Sequence, residues 1–212
     1  MIKAEVFRQY DIRGIVNEEL DENSFYLIGK GFGTYIRNKN LKTIVLGGDA
    51  RHSTPSFMQA FSKGALETGC DIIDLGIVPT PVLYFSIWKL KTDGGAMVTA
   101  SHNPPRYNGC KLNLGLSSVY ADELQKVLQI IQKGDFVSGQ GNYVKNNDMG
   151  DIYIDYVVNG IKLQRPVKVI VDGGNGVGGP YLTAILRRLG CEVIDMFCEP
   201  DGDFPNHHPD PT

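Results

Sequence analysis

Cysteine is scarce in this chain of 212 residues: Cys70, Cys110, Cys191 and Cys198 are the only four. None forms a C-x-x-C pair, and all lie in or beside apolar, strand-like segments, which predicts reduced core thiols. An excess of positive charge is also missing. Lys and Arg number 21 against 24 Asp and Glu, a formal charge of −3, so the molecule as a whole offers no basic surface to nucleic acid. Any anionic ligand must therefore be held by a local cluster of cations. No run approaches the ~18 apolar residues of a membrane span. The N-terminus, MIKAEVFRQYDIRG, carries charges where a signal peptide needs an apolar stretch. These absences predict a soluble, cytoplasmic protein with no nucleic-acid or membrane partner. Apolar residues at 42% and charged residues at 21% are ordinary globular values, which argues against disorder.

What is present reads as an α/β chain. Phe25, Ile28, Phe32, Tyr35 and Ile36 follow helical spacing behind a candidate N-cap at Asp21. T-I-V-L-G-G-D (43–49) is a buried strand. A polar loop then leads to a helix opened by Pro55 and closed at Gly69. C-D-I-I-D-L-G-I-V (70–78), G-G-A-M-V-T-A (94–100) and C-K-L-N-L (110–114) are further strands. A helix from Ala121 carries Leu124, Val127, Leu128 and Ile131 on one stripe and stops at Gly134. From Asp135 to Gly150 the chain turns polar, which places a domain boundary at 150. The second unit, 151–212, has a helix over Asp151–Leu163, a strand at 167–172, a glycine-rich loop, a helix over Pro180–Leu189 and a strand at 191–197.

The two units share a pattern. Strand TIVLGGD, a loop, a Pro-initiated helix and T-G-C-D-I-I-D-L match strand VIVDGGN, a loop, a Pro-initiated helix and L-G-C-E-V-I-D-M. Both read as β-α-β with parallel strands, the first helix about one turn longer. The second copy has only two strands, too little for its own core, so it is expected to be the start of a domain in a longer protein.

Three stretches could carry chemistry. G-N-G-V-G-G (174–179) satisfies G-x-G-x-x-G between a strand and a helix, with Asp195 about twenty residues on, as a dinucleotide fingerprint requires. Against that, Asp195 falls inside the next strand and Pro180 removes a donor N–H; a tight glycine turn explains the loop equally. His207-His208 suggests a metal only weakly, because adjacent residues do not share a face and the flanking prolines keep the chain extended. In T-A-S-H-N-P-P-R-Y-N-G-C-K (99–111), the double proline excludes a helix and Asn108-Gly109 signals a turn back into CKLNL. Cys110, Leu112 and Leu114 then share one face and Lys111 points to the other. Such a fold-back could bring the Lys111 amine toward Ser101. A serine-hydrolase reading fails on the missing G-x-S-x-G elbow, while Ser101 and Asn103 as simple turn caps remain open.

The loop T-A-S-H-N-P-P-R-Y-N-G-C-K-L resembles the phosphoserine loop of the α-D-phosphohexomutases. F-R-Q-Y-D-I-R-G (7–14), G-I-V-P-T-P (76–81), D-G-G-N-G-V-G-G (172–179) and D-G-D-F-P-N-H-H-P-D-P (201–211) are similar to that family in the same order, across almost the whole chain. The opening and the terminal loop look most like the phosphomannomutase/phosphoglucomutase branch. The resemblance implies a four-domain protein about twice this length. Residues 1–150 would be a three-layer α/β/α first domain with a mixed sheet, and 151–212 an incomplete second α/β domain of related topology.

It also implies an intramolecular phosphotransferase interconverting hexose 1-phosphate and hexose 6-phosphate through a glucose or mannose 1,6-bisphosphate. Ser101 would carry the phosphoryl group and Lys111 would act as general acid/base. Arg13 would support charge at the reacting centre and bind substrate, with Tyr10 and His102 as active-site contacts. Mg²⁺ would bind the phosphoserine oxygen and a D-G-D-G-D loop. D-G-D-F (201–204) is not that loop, since it aligns upstream of it, so the chain alone is expected to be inactive. The family's G-R-D-x-R reads Gly47-Gly48-Asp49-Ala50-Arg51 here, one cation fewer. Arg8, Arg13, Arg51, Arg106 and Lys111 are the local cations available to offset a phosphoserine of about −1.5 to −2 charges meeting a sugar phosphate. The alternative is a non-enzymatic nucleotide- or sugar-phosphate-binding module built on the glycine loop.

Overall fold

The structure is a computed structural model that describes residues 2–209. In chain order its elements are β1 (Ile12–Ile15), α1 (Glu22–Arg37), β2 (Thr43–Gly48), α2 (Thr54–Leu66), β3 (Asp71–Ile77), α3 (Thr80–Leu90), β4 (Gly94–Val98), β5 (Tyr107–Leu114), β6 (Ser117–Ser118), α4 (Ala121–Lys133), β7 (Tyr143–Lys145), α5 (Met149–Gly160), β8 (Lys168–Asp172), α6 (Gly178–Arg188) and β9 (Glu192–Met196). The first seven strands form one mixed sheet in the order β1-β5-β4-β2-β3-β7, with β6 against β5. β4, β2, β3 and β7 run parallel, while β5 is antiparallel to both β4 and β1.

Strand periodicity divides the core into two layers. Ile44 and Leu46 of β2, Ala96 and Val98 of β4, and Cys110 and Leu112 of β5 face Phe25, Phe32, Phe57, Phe61 and Val127 of α1, α2 and α4. The alternate residues Val45 and Met97 face Val82, Leu83 and Ile87 of α3 and Met149 of α5. The result is the expected three-layer α/β/α arrangement. Lys111, one residue out of step with Cys110 and Leu112, therefore lies on the α3 side, opposite Met97 in the ladder.

Asp21 caps α1 as its sequence predicts, its carboxylate accepting from the Ser24 N–H at 2.7 Å, and Gly134 ends α4 at φ +69°. α1 and α2 cross where each offers a glycine. A Cβ built at Gly64 would sit 2.1 Å from the Tyr26 carbonyl oxygen, and one at Gly29 would sit 2.1 Å from that of Phe61. Gly64→Ala should therefore destabilise the protein by roughly 1–3 kcal/mol through forced separation of the helices, outweighing alanine's better helix propensity of about 1 kcal/mol. Urea unfolding checks this, and a midpoint at or above the parent's would contradict it.

The repeat holds in three dimensions. β2 and β3 pair in parallel around α2, and β8 and β9 pair in parallel around α6. The helices are followed by Gly69 at φ +81° and Gly190 at φ +84°, and then by buried Cys70 and Cys191. The helices differ less than expected, 13 residues against 11. All four cysteines are free, and only Cys198 is partly exposed.

Four elements escape the sequence reading, the two-residue strand β6 among them. α3 exposes Pro81, Tyr84, Trp88 and Lys89, three of them apolar or aromatic, so its outward face does not read as polar. β1 and β7 are too short to display alternation. The polar stretch 135–150 is not free chain: Asn142 passes along β3, its carbonyl accepting from the Ile72 N–H at 2.8 Å, and leads into β7. α5 then packs on the first unit through Phe85 against Tyr153 (5.4 Å between centroids) and Trp88 against Tyr156 (5.5 Å). Among the described residues no helix is long and apolar enough to cross a membrane.

Candidate active site

Ser101 follows the C-terminal end of β4 with φ +57°, a left-handed conformation that costs a non-glycine residue roughly 1–2 kcal/mol. Two devices hold it there. Its N–H donates to Thr99 Oγ1 at 2.9 Å, and the Thr99 hydroxyl in turn donates to Asp49 Oδ2 at 2.7 Å. The second device is Arg51, whose side chain is completely buried. Its Nε donates to Asp49 Oδ2 (3.0 Å), Nη1 to the carbonyls of Pro104 (2.7 Å) and Tyr107 (3.0 Å), and Nη2 to those of Ser101 (3.0 Å) and Asn103 (2.7 Å).

All five guanidinium donors are thereby satisfied, four of them by the serine loop itself. Burial pulls the Arg51 pKa down and the Asp49 carboxylate opposes that shift. Arg51 is thus a clamp on the loop, not a cation facing a phosphate as its sequence position suggests. Asp49 anchors the clamp from the other end, accepting also from the Arg51 N–H (3.1 Å) and the Thr54 hydroxyl (2.8 Å). A Cβ on Gly48 would meet Thr54 Cγ2 at 2.3 Å, so this packing admits no side chain there.

The expected Asn108-Gly109 turn is not a turn. Both residues lie within β5 at ordinary φ, and the reversal is made by residues 100–107. Gly109 is required by close approach: a Cβ there would fall 2.1 Å from the Ile12 carbonyl of β1. Asn108 is buried and donates to the hydroxyls of Ser53 (2.8 Å) and Thr54 (3.1 Å), pinning the strand to the start of α2.

That close pairing of β1 with β5 assembles a second cluster. Arg13 stands beside Gly109, and its Nη2 pairs with Asp11 Oδ2. Lys111 Nζ approaches the same oxygen at 3.5 Å. Asp11 is itself buried, so one carboxylate positions both cations. With its oxygen turned toward the guanidinium, the Asn103 side chain accepts from Arg13 Nη1 at 2.7 Å and Nε at 3.2 Å, joining this cluster to the serine loop. Asp11 does not stand out in the sequence and Asn103 reads there only as a turn cap, since a bridging role is visible only once the strands are paired. His102 and Tyr10 are exposed, as are Arg8 and Arg106.

A cavity of about 650 Å³ opens between the two units. Ser101, His102 and Thr99 line one side, and Asp172, Gly174 and His207 line the other. The start of α6 borders it at Gly176–Gly178, and a helix N-terminus favours negative charge. The return loop closes over the clamp, with the Phe204 ring 5.2 Å from the Arg51 guanidinium carbon and Gly202 against the Ala50 carbonyl.

The glycines of the 174–179 loop serve this packing. Cβ atoms at Gly173 and Gly179 would each meet the Cys198 backbone at 2.8 Å, and Asn175 (φ +57°) donates its N–H to the Phe197 carbonyl at 2.7 Å. Asp195 pairs with Arg187 Nη2 at 2.5 Å, which occupies the carboxylate a ribose would need.

His207 faces an acceptor at both ring nitrogens: Nδ1 lies 2.9 Å from the His208 carbonyl, and Nε2 lies 2.9 and 3.0 Å from the two Asp172 oxygens. Two acceptors on one ring are both satisfied only by the doubly protonated form, so this geometry favours the imidazolium. The His208 carbonyl and then Asp172 raise the His207 pKa, while His207 and the Gly174 N–H lower that of Asp172. The stabilisation that His207 brings is full below its ordinary 6.5 and fades as pH rises through the raised folded value. That of Asp172 is full above 3.8 and fades as pH falls through its lowered value. The pair thus holds the terminal loop most firmly between pH 3.8 and 6.5. An NMR titration of the His207 ring should give a midpoint above 6.5 that moves down in Asp172→Asn. A midpoint at or below the ordinary value, indifferent to that change, would contradict the pairing. Residues 210 and 211 of the P-N-H-H-P-D-P loop, with residue 212, lie outside the described residues.

Mg²⁺ needs a near-octahedral set of oxygens. In the cavity, Asp49 already accepts four hydrogen bonds and Asp172 is committed to His207. Among the described residues, the one group of three candidate ligands is His52, Asp201 and Asp203. It is engaged in a His52–Asp203 contact of 2.9 Å and does not include Ser101. The residues of this chain do not by themselves fit a Mg²⁺ site at Ser101.

A strained serine on an arginine-clamped loop thus faces a cavity between two α/β units of matching topology. The family described as phosphoglucomutase/phosphomannomutase, alpha/beta/alpha domain I, matches residues 4–138, and its domain II matches residues 151–212. This chain belongs to the phosphoglucomutase/phosphomannomutase family. It is 40% identical over 213 aligned residues to a phosphoglucomutase of Neisseria gonorrhoeae, covering 100% of this chain and 46% of that protein. It is 39% identical to a phosphomannomutase/phosphoglucomutase of Pseudomonas aeruginosa, covering 99% and 45%. The crystal structure of a phosphoglucomutase/phosphomannomutase family protein from Burkholderia thailandensis superposes with a TM-score of 0.95 at 40% identity, over 100% of this chain and 48% of that one. The chain spans about half the length of the relatives it matches.

Proposed function

We propose that Ser101 is the phosphoryl carrier of an intramolecular phosphotransferase that interconverts hexose 1-phosphate and hexose 6-phosphate, of glucose, mannose or both. The observation that carries this reading is the clamp: a fully buried arginine spends four of its five donors on one loop to hold a serine at φ +57° on a cavity wall. Turn caps do not need that investment, whereas a group that must meet a substrate in one geometry does.

In the proposed cycle the O6 hydroxyl of hexose 1-phosphate attacks the phosphorus on Ser101. The new O6–P bond forms as the P–Oγ bond breaks, and the hydroxyl proton leaves through Lys111 toward the departing serine oxygen. The resulting 1,6-bisphosphate turns over and returns its other phosphoryl group to Ser101. Arg13, fixed by Asp11 and Asn103, offsets charge on the transferring oxygens, and His102 and Tyr10 contact the substrate. Residues 1–150 would supply this chemistry and 151–212 the facing wall. The 212-residue chain is proposed to accept phosphate without sustaining turnover.

The test is a coupled assay on the full-length protein with glucose 1-phosphate and mannose 1-phosphate. Formation of the 6-phosphate, primed by glucose 1,6-bisphosphate, is expected; no turnover of either sugar under priming would contradict the reading.

A further inference from the structure

A cleft of about 280 Å³, separate from the serine cavity in its lining, is formed by Tyr10, Tyr84, Lys111, Leu112, Ser118 and Tyr120. Three tyrosines from three separate segments converge there: the loop before β1, helix α3, and the residue preceding α4. Tyr10 and Tyr120 stack with centroids 6.2 Å apart and planes inclined by 26°. The stack is built, not incidental. The Ala121 N–H donates to the Gln9 carbonyl at 2.7 Å, tying the two segments together at the base of the rings. Ala121 takes φ +45° to do so, which for alanine is a strained conformation. Yet Tyr10 and Tyr120 are left 64% and 53% exposed, so the strain brings the fold little apolar burial.

From this we infer that Tyr120, with Tyr84, completes an aromatic wall that receives the pyranose ring of a hexose phosphate. The chemistry of the lining selects that ligand class. A pyranose presents an apolar C–H face that lies flat on a tyrosine ring and loses water in doing so, while its rim of hydroxyls needs polar partners. Ser118 and the tyrosine hydroxyls supply these at the cleft edge. Lys111, shared between this cleft and the Asp11–Arg13 cluster, supplies the positive charge for a phosphate at the inner end. The wall is sequence-tolerant in a useful way. Ring stacking grips the sugar without demanding one orientation of its hydroxyls, as a bisphosphate that must be bound both ways round requires.

This inference rests on the proposed sugar-phosphate reaction, and its test separates the two. Saturation-transfer NMR on the 212-residue chain, irradiating the aromatic protons, would use α-D-glucose 1-phosphate as probe, with excess inorganic phosphate present to mask purely anionic contacts. Saturation is expected on the pyranose C–H protons. It should fall at least about fivefold in Tyr120→Leu, which keeps bulk but removes the ring, and persist in Tyr120→Phe, which keeps the ring. In the full-length protein the same leucine variant should raise KM for hexose 1-phosphate more than it lowers kcat. No saturation, or saturation unchanged in Tyr120→Leu, would overturn the aromatic wall even if Ser101 takes up phosphate. Tyr120-dependent saturation in a protein whose Ser101 is never phosphorylated would leave the wall standing and remove the phosphoryl-carrier reading instead.

Discussion

Arg51→Met should lower the stability of the protein by about 3–5 kcal/mol, the usual cost of breaking a buried charged pair by removing one partner. The methionine fills much of the volume, so the loss is electrostatic and not a cavity. Asp49 keeps its charge without its guanidinium, and the carbonyls of Ser101, Asn103, Pro104 and Tyr107 lose their donor together. Each buried group left unpaired costs about 1–3 kcal/mol unless water reaches it, so the loop is expected to open until water does. Against a total stability of roughly 5–15 kcal/mol for a typical protein, this is a large fraction. Arg51→Lys should recover only part, because an ammonium offers three donors from one point and cannot fork between four carbonyls. Urea unfolding, with proteolysis across residues 99–108 as the local readout, checks both variants. A loss under about 1 kcal/mol in Arg51→Met would show that the clamp is dispensable.

At Ser101, stability and function should move in opposite directions. Ser101→Ala keeps a Cβ at φ +57° and so keeps the strain, but it should abolish phosphoryl uptake and with it turnover in the full-length protein. Ser101→Gly should be equally inactive yet gain up to about 1 kcal/mol, since glycine adopts this conformation without steric cost. Part of that relief is offset by glycine's greater freedom in the unfolded chain. A glycine variant less stable than the alanine variant would mean that the observed backbone is not strained. Retained turnover in either would place the phosphoryl group elsewhere.

Much of this site is legible without the structure, and the remainder is hidden for identifiable reasons. α4 announces itself because it has one buried stripe and one wet face, and α1 because its large apolar residues keep helical spacing even though residues 31–36 are all buried, while Asp21 and Gly134 act as the terminators their chemistry suggests. α3 exposes mainly Pro81, Tyr84 and Trp88, so its outward face carries no polar signal. The repeat is readable because left-handed glycines, Gly69 and Gly190, must follow both helices before the buried cysteines. Ser101, Lys111 and Arg13 stand out as residue types, but Asp11, the carboxylate that brings Lys111 and Arg13 together, does not. Its role exists only after β1 pairs with β5.

Two misreadings share one cause. Asn108-Gly109 carries turn chemistry, and Arg51 carries charge suited to phosphate. In both cases burial decides the use: Asn108 becomes an internal hydrogen-bond hub, Gly109 a point of strand contact, and Arg51 a clamp. Composition and spacing do not report burial for an isolated polar residue. The glycine loop is the converse case, where a motif shape is satisfied by packing against Cys198.

The central claim is that Ser101 is the residue that carries phosphate. It is tested most directly by incubating the full-length protein with glucose 1,6-bisphosphate and mapping the phosphorylated peptide by mass spectrometry. One phosphoryl group on Ser101, absent from Ser101→Ala, is the predicted result. A phosphoryl group found only on another residue, or none at all, would contradict it.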